Sequence, residues 1–181
     1  MSHSALKQHF EKVVVPSLMK QFGYVNRLQV PRLVKVVVNV GYGRQAKDAA
    51  FIENVERTLA LITGQKPVHN KARIAISNFK TRAGLPIGAS VTLRGARMYD
   101  FVYKLVHLTF PRVRDFRGLS AKSFDRQGNC AIGFKENLAF PEIGSSSIDK
   151  IHGLEVIIVT TGKTREVGLA LLKALGFPFR D

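Results

Sequence analysis

Two strings in this chain carry the residue types that cradle phosphate. Gly162-Lys163-Thr164 follows an apolar run and precedes a helical pattern, as the end of a P-loop does. A P-loop also needs a glycine five positions before its second one. That position is Ile157, inside the apolar run, so the backbone has no way to curl around phosphates. Gly41-Tyr42-Gly43-Arg44-Gln45-Ala46 matches the relaxed G-x-G-x-x-A dinucleotide fingerprint. That fingerprint needs an acid about 20 residues further on to hold a ribose, and residues 61–71 contain none. The first string therefore reads as a strand-turn-helix junction capped by Thr164, the second as a tight turn with positive φ at one glycine. Spacing alone reveals no Ser-His-Asp set, Cys-His pair or converging carboxylate pair. His3, His9, His69, His107, His152 and Cys130 lack the spacing of zinc ligands. No cofactor or metal is expected, and an active site assembled from distant residues is the open alternative.

The charge is more informative. The 181 residues hold 28 Lys and Arg against 13 Asp and Glu, a formal +15, with an ordinary apolar share of 45%. The apolar content is enough for a single folded domain over 1–181, so the cations sit on a body and not on a disordered tail. An uncompensated field of this size points to a polyanionic partner. The field is concentrated: residues 66–135 carry 14 cations and three acids, and no acid occurs from Leu61 to Tyr99. Lys71, Arg73, Lys80 and Arg82 fall around one loop with Phe79, and Arg112, Arg114 and Arg117 on another. Cations with an aromatic between them suit RNA, and no DNA-reading helix pair is evident. No apolar run approaches the ~18 residues of a membrane span, and Met1 to Gln8 lacks a secretory h-region. With its single cysteine the chain reads as cytoplasmic, without a membrane partner.

These residues must be positioned by helices and strands that the periodicity outlines. Leu6, Phe10, Val14, Leu18 and Phe22 share a helical face that Gly23 terminates, with Pro16 kinking the helix or starting a second one. Leu33 to Gly41 alternates as a strand, with Val34, Val36, Val38 and Val40 on one side and Lys35, Val37 and Asn39 on the other. From the N-cap Asp48 a helical stripe runs to Gly64, and a strand-length tract follows from Lys66. A basic loop then runs over about 73–84. Ala89 to Arg94 is a strand with Ser90, Thr92 and Arg94 outward. A third helix must end before Pro111, and a second exposed basic loop covers about 112–126. Strands at Asn129–Lys135 and Leu154–Thr161 and a closing helix ended by Gly176 complete the chain. Helices interspersed among about five strands, at least two with a polar outer face, describe an α+β fold with helices on one side of the sheet. Lys35, Asn39, Thr92 and Arg94 then project from the uncovered side.

Eight blocks follow one another along the chain: Gln29-Val-Pro-Arg32, Asn39-Val-Gly-Tyr-Gly43, Thr63-Gly-Gln-Lys-Pro67, Phe79-Lys-Thr-Arg82, Pro86-Ile-Gly88 with Val91-Thr-Leu-Arg-Gly95, Pro111-Arg-Val-Arg-Asp-Phe-Arg-Gly-Leu119, Phe140-Pro-Glu-Ile143 and Phe177-Pro-Phe-Arg180. In these blocks and their order the chain resembles the bacterial type of the large-subunit ribosomal protein L-five family. The resemblance implies an antiparallel sheet and a structural, non-enzymatic place on the ribosome, in the central protuberance of the large subunit. It implies that the sheet side grips a loop of 5S rRNA through Asn39, Gln65 and Thr92, with Arg32, Lys35, Lys66 and Arg94 as candidate phosphate partners. Lys71, Arg73, Ser77, Phe79, Lys80 and Arg82 are implied to reach the elbow of the P-site tRNA. Arg112, Arg114 and Arg117 are implied to meet a head protein of the small subunit in an intersubunit bridge. Contacts with 23S rRNA and with neighbouring 5S rRNA-binding ribosomal proteins are also implied. The chain departs from the family pattern at Asn70, Ile74, Ala75 and Thr81. Two rival classes are a nucleotide-dependent enzyme using the Gly41 or Gly162 loop, and a basic protein on acidic membranes. The second lacks a spare amphipathic helix, because the core needs those apolar faces.

Overall fold

Five strands form one antiparallel sheet: β1 (Leu33–Gly41), β2 (Val68–Lys71), β3 (Pro86–Leu93), β4 (Cys130–Phe134) and β5 (Leu154–Thr160), in the order β2-β3-β1-β5-β4. The computed structural model describes residues 4–144 and 151–180. The α+β class read from the sequence is the one found. β3 begins three residues earlier than alternation alone suggests, and β2 begins at Val68, just past Pro67, which has no N–H to give a ladder. The chain divides into two compact units: Met1–Val36, Leu93–Ile132 and Ile157–Asp181 make a helix-rich unit, and Val37–Thr92 with Gly133–Val156 a loop-bearing unit.

In the helix-rich unit, α1 (residues 5–22) buries Leu6, Phe10, Val14, Val15 and Leu18. Pro16 lacks an N–H, and its ring would strike the carbonyl four residues back. The helix answers by widening. Phe10–Val14 is a π-turn in which the Val15 N–H reaches the Phe10 carbonyl, so that Pro16 falls in the first turn of a new α segment, Val15–Phe22. The same device operates in α3 (residues 95–112). Leu105–Thr109 is a π-turn, the Phe110 N–H reaches the Leu105 carbonyl, and Pro111 sits inside the final turn Phe110–Arg112. The expectation that α3 stops before Pro111 is therefore corrected: the π register removes the clash and the helix passes through the proline. α1 and α3 pack together, with the Phe10 ring 6.2 Å from Tyr99.

α4 (Arg165–Ala174) closes this unit. Thr164 caps it, accepting the Val167 N–H at 3.4 Å, and Leu171 and Leu172 face the core. Its backbone meets the 125–129 turn at a glycine pair. A Cβ on Gly168 would land on the Gly128 backbone, 2.7 Å from its Cα, and Gly128 itself has φ +79. The neighbouring Thr160 hydroxyl donates to the Gly128 carbonyl at 3.0 Å. Cys130, fully buried beside this turn, behaves as a small hydrophobe: burial and then the Asp125 charge push its thiol up to about 12.

In the loop-bearing unit, α2 (Ala49–Thr63) starts at Asp48, whose carboxylate accepts the Phe51 N–H at 3.1 Å, and ends at Gly64 with φ +67. Val55, Leu59 and Ile62 form its buried stripe. Val38, Val40, Ala89 and Val91 are buried positions of β1 and β3, and Gly88 lets β1 come close, since a Cβ there would sit 3.0 Å from the Val40 carbonyl. β2 pairs antiparallel with β3, Val68 opposite Ser90 and Asn70 opposite Gly88, with an irregularity between Asn70 and Lys71.

The glycine crossing sets a test of magnitudes. Ala in place of Gly favours a helix by about 1 kcal/mol, whereas forcing a methyl into packed backbone costs about 1–3 kcal/mol or more. The backbone of Gly128 cannot step aside as a flexible side chain would, so Gly168→Ala is expected to destabilise the protein by about 2 kcal/mol in urea unfolding. Gly133→Ala, where nothing lies within 4 Å, should stay within about 0.5 kcal/mol of wild type. Cys130 should resist a thiol reagent at pH 8 in the folded protein and react once it is unfolded; reaction at the native rate of a free thiol would contradict its burial.

Candidate nucleic-acid interface

Alternation places one polar surface on the loop-bearing unit. β1 buries Val38 and Val40 and turns Asn39 the other way. β3 buries Ala89, Val91 and Leu93 and turns Ser90 and Thr92 the other way, Thr92 exposed. β1 and β3 are neighbours, so Asn39 and Thr92 stand on adjacent strands of one face. The sheet adds a pair that sequence reading does not name as a site. Asn70 on β2 and Ser90 on β3 exchange hydrogen bonds, Nδ2 to Oγ at 3.2 Å and Oγ to Oδ1 at 3.3 Å. Ser90 is legible as outward by its period. Asn70 is not, because its partner depends on the β2–β3 register.

Gln65 and Lys66 lie on the turn between α2 and β2. The Thr63 hydroxyl donates to the Leu59 carbonyl at 2.7 Å and accepts the Gln65 N–H at 3.3 Å, and Pro67 is buried behind. The turn lines an open groove of about 620 Å³ with Glu53, Glu56 and Arg57 on its other wall. A chain of polar groups roots β2 nearby: the Tyr42 hydroxyl and His69 Nδ1 are 2.9 Å apart, and His69 Nε2 lies 3.6 Å from Glu56. Burial, then the Glu56 charge, holds the Tyr42 hydroxyl above its ordinary pKa. No spacing in the sequence joins these three residues. Arg32, Lys35 and Arg94 belong to the helix-rich unit; Arg32 and Arg94 are exposed and Lys35 is half-buried.

The first basic loop is built and not slack. At its neck the Ala72 N–H meets the Leu85 carbonyl at 2.8 Å, and the Gly84 N–H meets the Ala72 carbonyl at 2.9 Å. At its tip Ile76 and Thr81 pair as a two-residue ladder, closed by Ser77–Phe79 and by Lys80 in the left-handed region, φ 53. Lys71, Arg73, Ser77, Lys80 and Arg82 are all exposed, as are Phe79 (74%) and Ile74 (73%). The sequence alone does not single out Ile76, since alternating isoleucines resemble ordinary strand residues, and Ile74 stands out there only as a departure from the family pattern.

The second basic loop belongs to the helix-rich unit and is tied from behind. The Phe116 ring stacks on Phe110 at 5.1 Å, and Phe177 meets Phe110 edge-on at 5.9 Å. Leu119 pairs with Phe179, its N–H on the Pro178 carbonyl at 2.8 Å and its carbonyl accepting the Arg180 N–H at 3.0 Å. The expectation of a wholly exposed loop is corrected: Leu119 and Phe124 are buried, while Arg112, Arg114 and Arg117 remain exposed.

Both phosphate-like strings are filled by the protein itself. The start of α4 is occupied by its own Thr164 cap and by Gly128, and the Gly162 N–H is held by the Thr160 hydroxyl at 3.1 Å. Gly43–Gln45 make a short 3-10 turn with neither Gly41 nor Gly43 at positive φ, which corrects the positive φ expected at one of them, and the next helix opens on the Asp48 carboxylate, an acid where a pyrophosphate would need to lie. Among the described residues no cluster of three metal-ligating side chains occurs, and no helix is long and apolar enough to cross a membrane.

Comparison with known proteins decides the lineage. Residues 26–82 match the family model described as Ribosomal protein L5, and residues 86–179 match a second model, described as the C-terminus of that ribosomal family. The chain belongs to the ribosomal protein L5 family. It is 54% identical over 175 residues to Large ribosomal subunit protein uL5 of Kosmotoga olearia, covering 97% of this chain and 96% of that one. It is 54% identical over 176 residues to the protein of the same name from Chloroflexus aurantiacus, covering 97% and 98%. With the Halothermothrix orenii protein the identity is 52% over 178 residues, covering 98% and 99%. The two matched segments meet at residues 82–86, where the first basic loop returns to the sheet.

The second loop's far end generates a pH prediction. Asp125 Oδ1 accepts the Gln127 and Asn129 N–H groups at 2.9 and 2.8 Å, and Oδ2 the Asn129 amide at 2.7 Å. Burial pushes this carboxyl up, but the hydrogen bonds from Asn129, Gln127 and Gly128 outweigh it and hold the pKa below its ordinary value. A depressed carboxyl stabilises the fold above its unfolded pKa, and that contribution is lost as pH falls through the folded value. Asp125→Ala should cost about 1 kcal/mol at pH 7, the low end for charge-assisted bonds because the carboxylate stays wet. The gap from wild type should close in urea unfolding at about pH 2.5, below the ordinary carboxyl range; an unchanged gap would place the effect elsewhere.

Proposed function

We propose that this chain docks on 5S rRNA through the polar face of its sheet and helps attach that RNA to 23S rRNA in the central protuberance. As a member of the ribosomal protein L5 family it is a structural, non-enzymatic constituent of the large ribosomal subunit. The observation that carries the finer reading is the outward placement of Asn39 and Thr92 on adjacent strands, between the buried apolar positions Val38, Val40, Val91 and Leu93. Neutral amide and hydroxyl groups on a rigid sheet select a shape; exposed cations supply affinity. Arg32, Lys35, Lys66 and Arg94 neutralise phosphate with release of counterions, so binding weakens steeply with salt. Gln65 completes the register-setting set.

In this reading the loop at 73–84 reaches the elbow of the P-site tRNA with Lys71, Arg73, Ser77, Phe79, Lys80 and Arg82. Exposed apolar and cationic groups on one pinned loop suit a folded RNA corner with open base and ribose surface. Arg112, Arg114 and Arg117 face a head protein of the small subunit, and other 5S rRNA-binding ribosomal proteins lie alongside. The chain works on cytoplasmic ribosomes.

The test is binding of the purified chain to 5S rRNA and to an unrelated structured RNA of equal length, at two salt concentrations, with an Asn39→Ala, Thr92→Ala variant. Two neutral hydrogen bonds lost at about 0.5–1.5 kcal/mol each predict a loss of about tenfold. That loss should fall on 5S rRNA alone and leave the salt slope unchanged. Equal, salt-erased binding of both RNAs would refute the 5S assignment.

A further inference from the structure

The two most exposed large apolar side chains among the described residues are on neither basic loop. Val25 and Leu28, 93% and 86% exposed, sit in the turn that joins α1 to β1 in the helix-rich unit. A frayed segment with such side chains would mean little, but this turn is built. Gly23 at φ +67 swings the chain out of α1, and the Tyr24 N–H closes on the Met19 carbonyl at 3.2 Å. Asn26 Oδ1 accepts the Leu28 N–H at 2.8 Å, the Gln29 N–H reaches the Asn26 carbonyl at 3.0 Å, and the Val30 N–H reaches the Arg27 carbonyl at 3.3 Å. Val30 and Pro31 are buried directly behind, and the Arg27 guanidinium donates to the Glu11 carbonyl at 3.4 Å. The protein therefore holds two aliphatic knobs out in water on a capped 3-10 turn.

Along this stretch of chain the charge has one sign, and Glu11, whose carbonyl takes Arg27, has its carboxylate 3.9 Å from Lys7. From Lys12 to Val36 the chain carries Lys12, Lys20, Arg27, Arg32 and Lys35 and no acid. A partner that covers the knobs must also accept these cations at close range, which calls for a polyanion that offers apolar surface. Folded RNA does so, with phosphates beside ribose and base faces. The geometry points to the 24–29 turn as a separate rRNA-docking element: Val25 and Leu28 pack on ribose and base surface, while Arg27 and Lys20 neutralise adjacent phosphates. This rests on the ribosomal reading above and adds a contact outside the sheet face and both basic loops.

Cys130 is buried, so Leu28→Cys offers an accessible thiol on the full chain for a tethered Fe(II)-EDTA group. After reconstitution into large subunits, hydroxyl-radical cuts should cluster in one short stretch of rRNA. Subunits that take up the labelled chain but show no rRNA cuts overturn the proposal, leaving the turn against protein or solvent and the ribosomal reading intact. An unlabelled wild-type chain that fails to enter subunits overturns both. In parallel, a Val25→Ser, Leu28→Ser variant is tested on 5S rRNA and on 23S rRNA beside Asn39→Ala, Thr92→Ala. Removing two buried aliphatic contacts should weaken binding to one of these RNAs about tenfold or more with the salt slope unchanged, and Arg27→Gln should lower that slope by nearly one. Wild-type affinity for both RNAs in the serine variant overturns the proposal even where the sheet variant binds poorly.

Discussion

Uncompensated positive charge is the constraint to which the rest of this structure answers. With 28 cations and 13 acids, the cations that face outward cannot all be held in place by carboxylates. Among the described residues, the Lys7–Glu11 pair (3.9 Å) and the His69–Glu56 contact (3.6 Å) involve no cation of either basic loop. The first loop is fixed by neutral means, a backbone ladder at Ile76–Thr81 and a backbone neck at Ala72–Leu85; the second is held by a Phe116–Phe110 stack and the Leu119–Phe179 strap, with the Asp125 carboxylate and the Arg165 guanidinium spent on backbone groups. Arg165 and Arg27 spend their guanidinium groups on carbonyl oxygens, those of Ala121 and Glu11. Surface ion pairs contribute little to stability and would mask the charge. Backbone and aromatic fastening keeps the loops shaped while leaving the field outside.

The elements that local chemistry specifies are legible in the sequence. Period-two alternation marks the two faces of β1, β3 and β4, and Asp48, Gly64, Gly23 and Thr164 mark helix ends by the conformations and capping bonds they alone supply cheaply. The same reasoning turns Asn39 and Thr92 outward without any coordinates. What stays hidden depends on partners distant in sequence. The Asn70–Ser90 exchange needs the β2–β3 register, and the Tyr42–His69–Glu56 chain needs β1, β2 and α2 together. The passage of α3 through Pro111 is hidden differently: proline rules describe an α register, and the helix leaves that register one turn earlier.

The glycine strings illustrate how one residue type serves opposed ends. A glycine that lets backbone approach phosphate also lets backbone approach backbone, and sequence spacing does not say which. Here Gly168 and Gly128 are used for helix-to-turn packing, and Gly88 for approach to Val40, so the permissiveness is consumed inside the fold. A phosphate site would need those amides outward and unpaired. The Thr160 hydroxyl, which accepts the Gly162 N–H and donates to the Gly128 carbonyl, closes that possibility at the one junction that most resembles a P-loop.

Preformed loops change what binding costs. A flexible basic arm loses backbone freedom when RNA orders it, about 1–2 kcal/mol for each residue fixed, and much of its Coulombic gain goes to that ordering. A loop already closed at its neck and tip loses mainly side-chain freedom, so the same cations yield more net affinity. Rigidity has a second consequence. Phosphate contacts alone carry no register, because every phosphate looks alike. Neutral groups on a fixed frame do carry one: Asn39 and Thr92 stand on sheet strands, Phe79 on a short 3-10 turn, and Leu28 on a turn where its own N–H is capped. In the proposed mode of binding, charge would bring the partner near from any direction, and only the arrangement that seats these uncharged side chains would complete the contact.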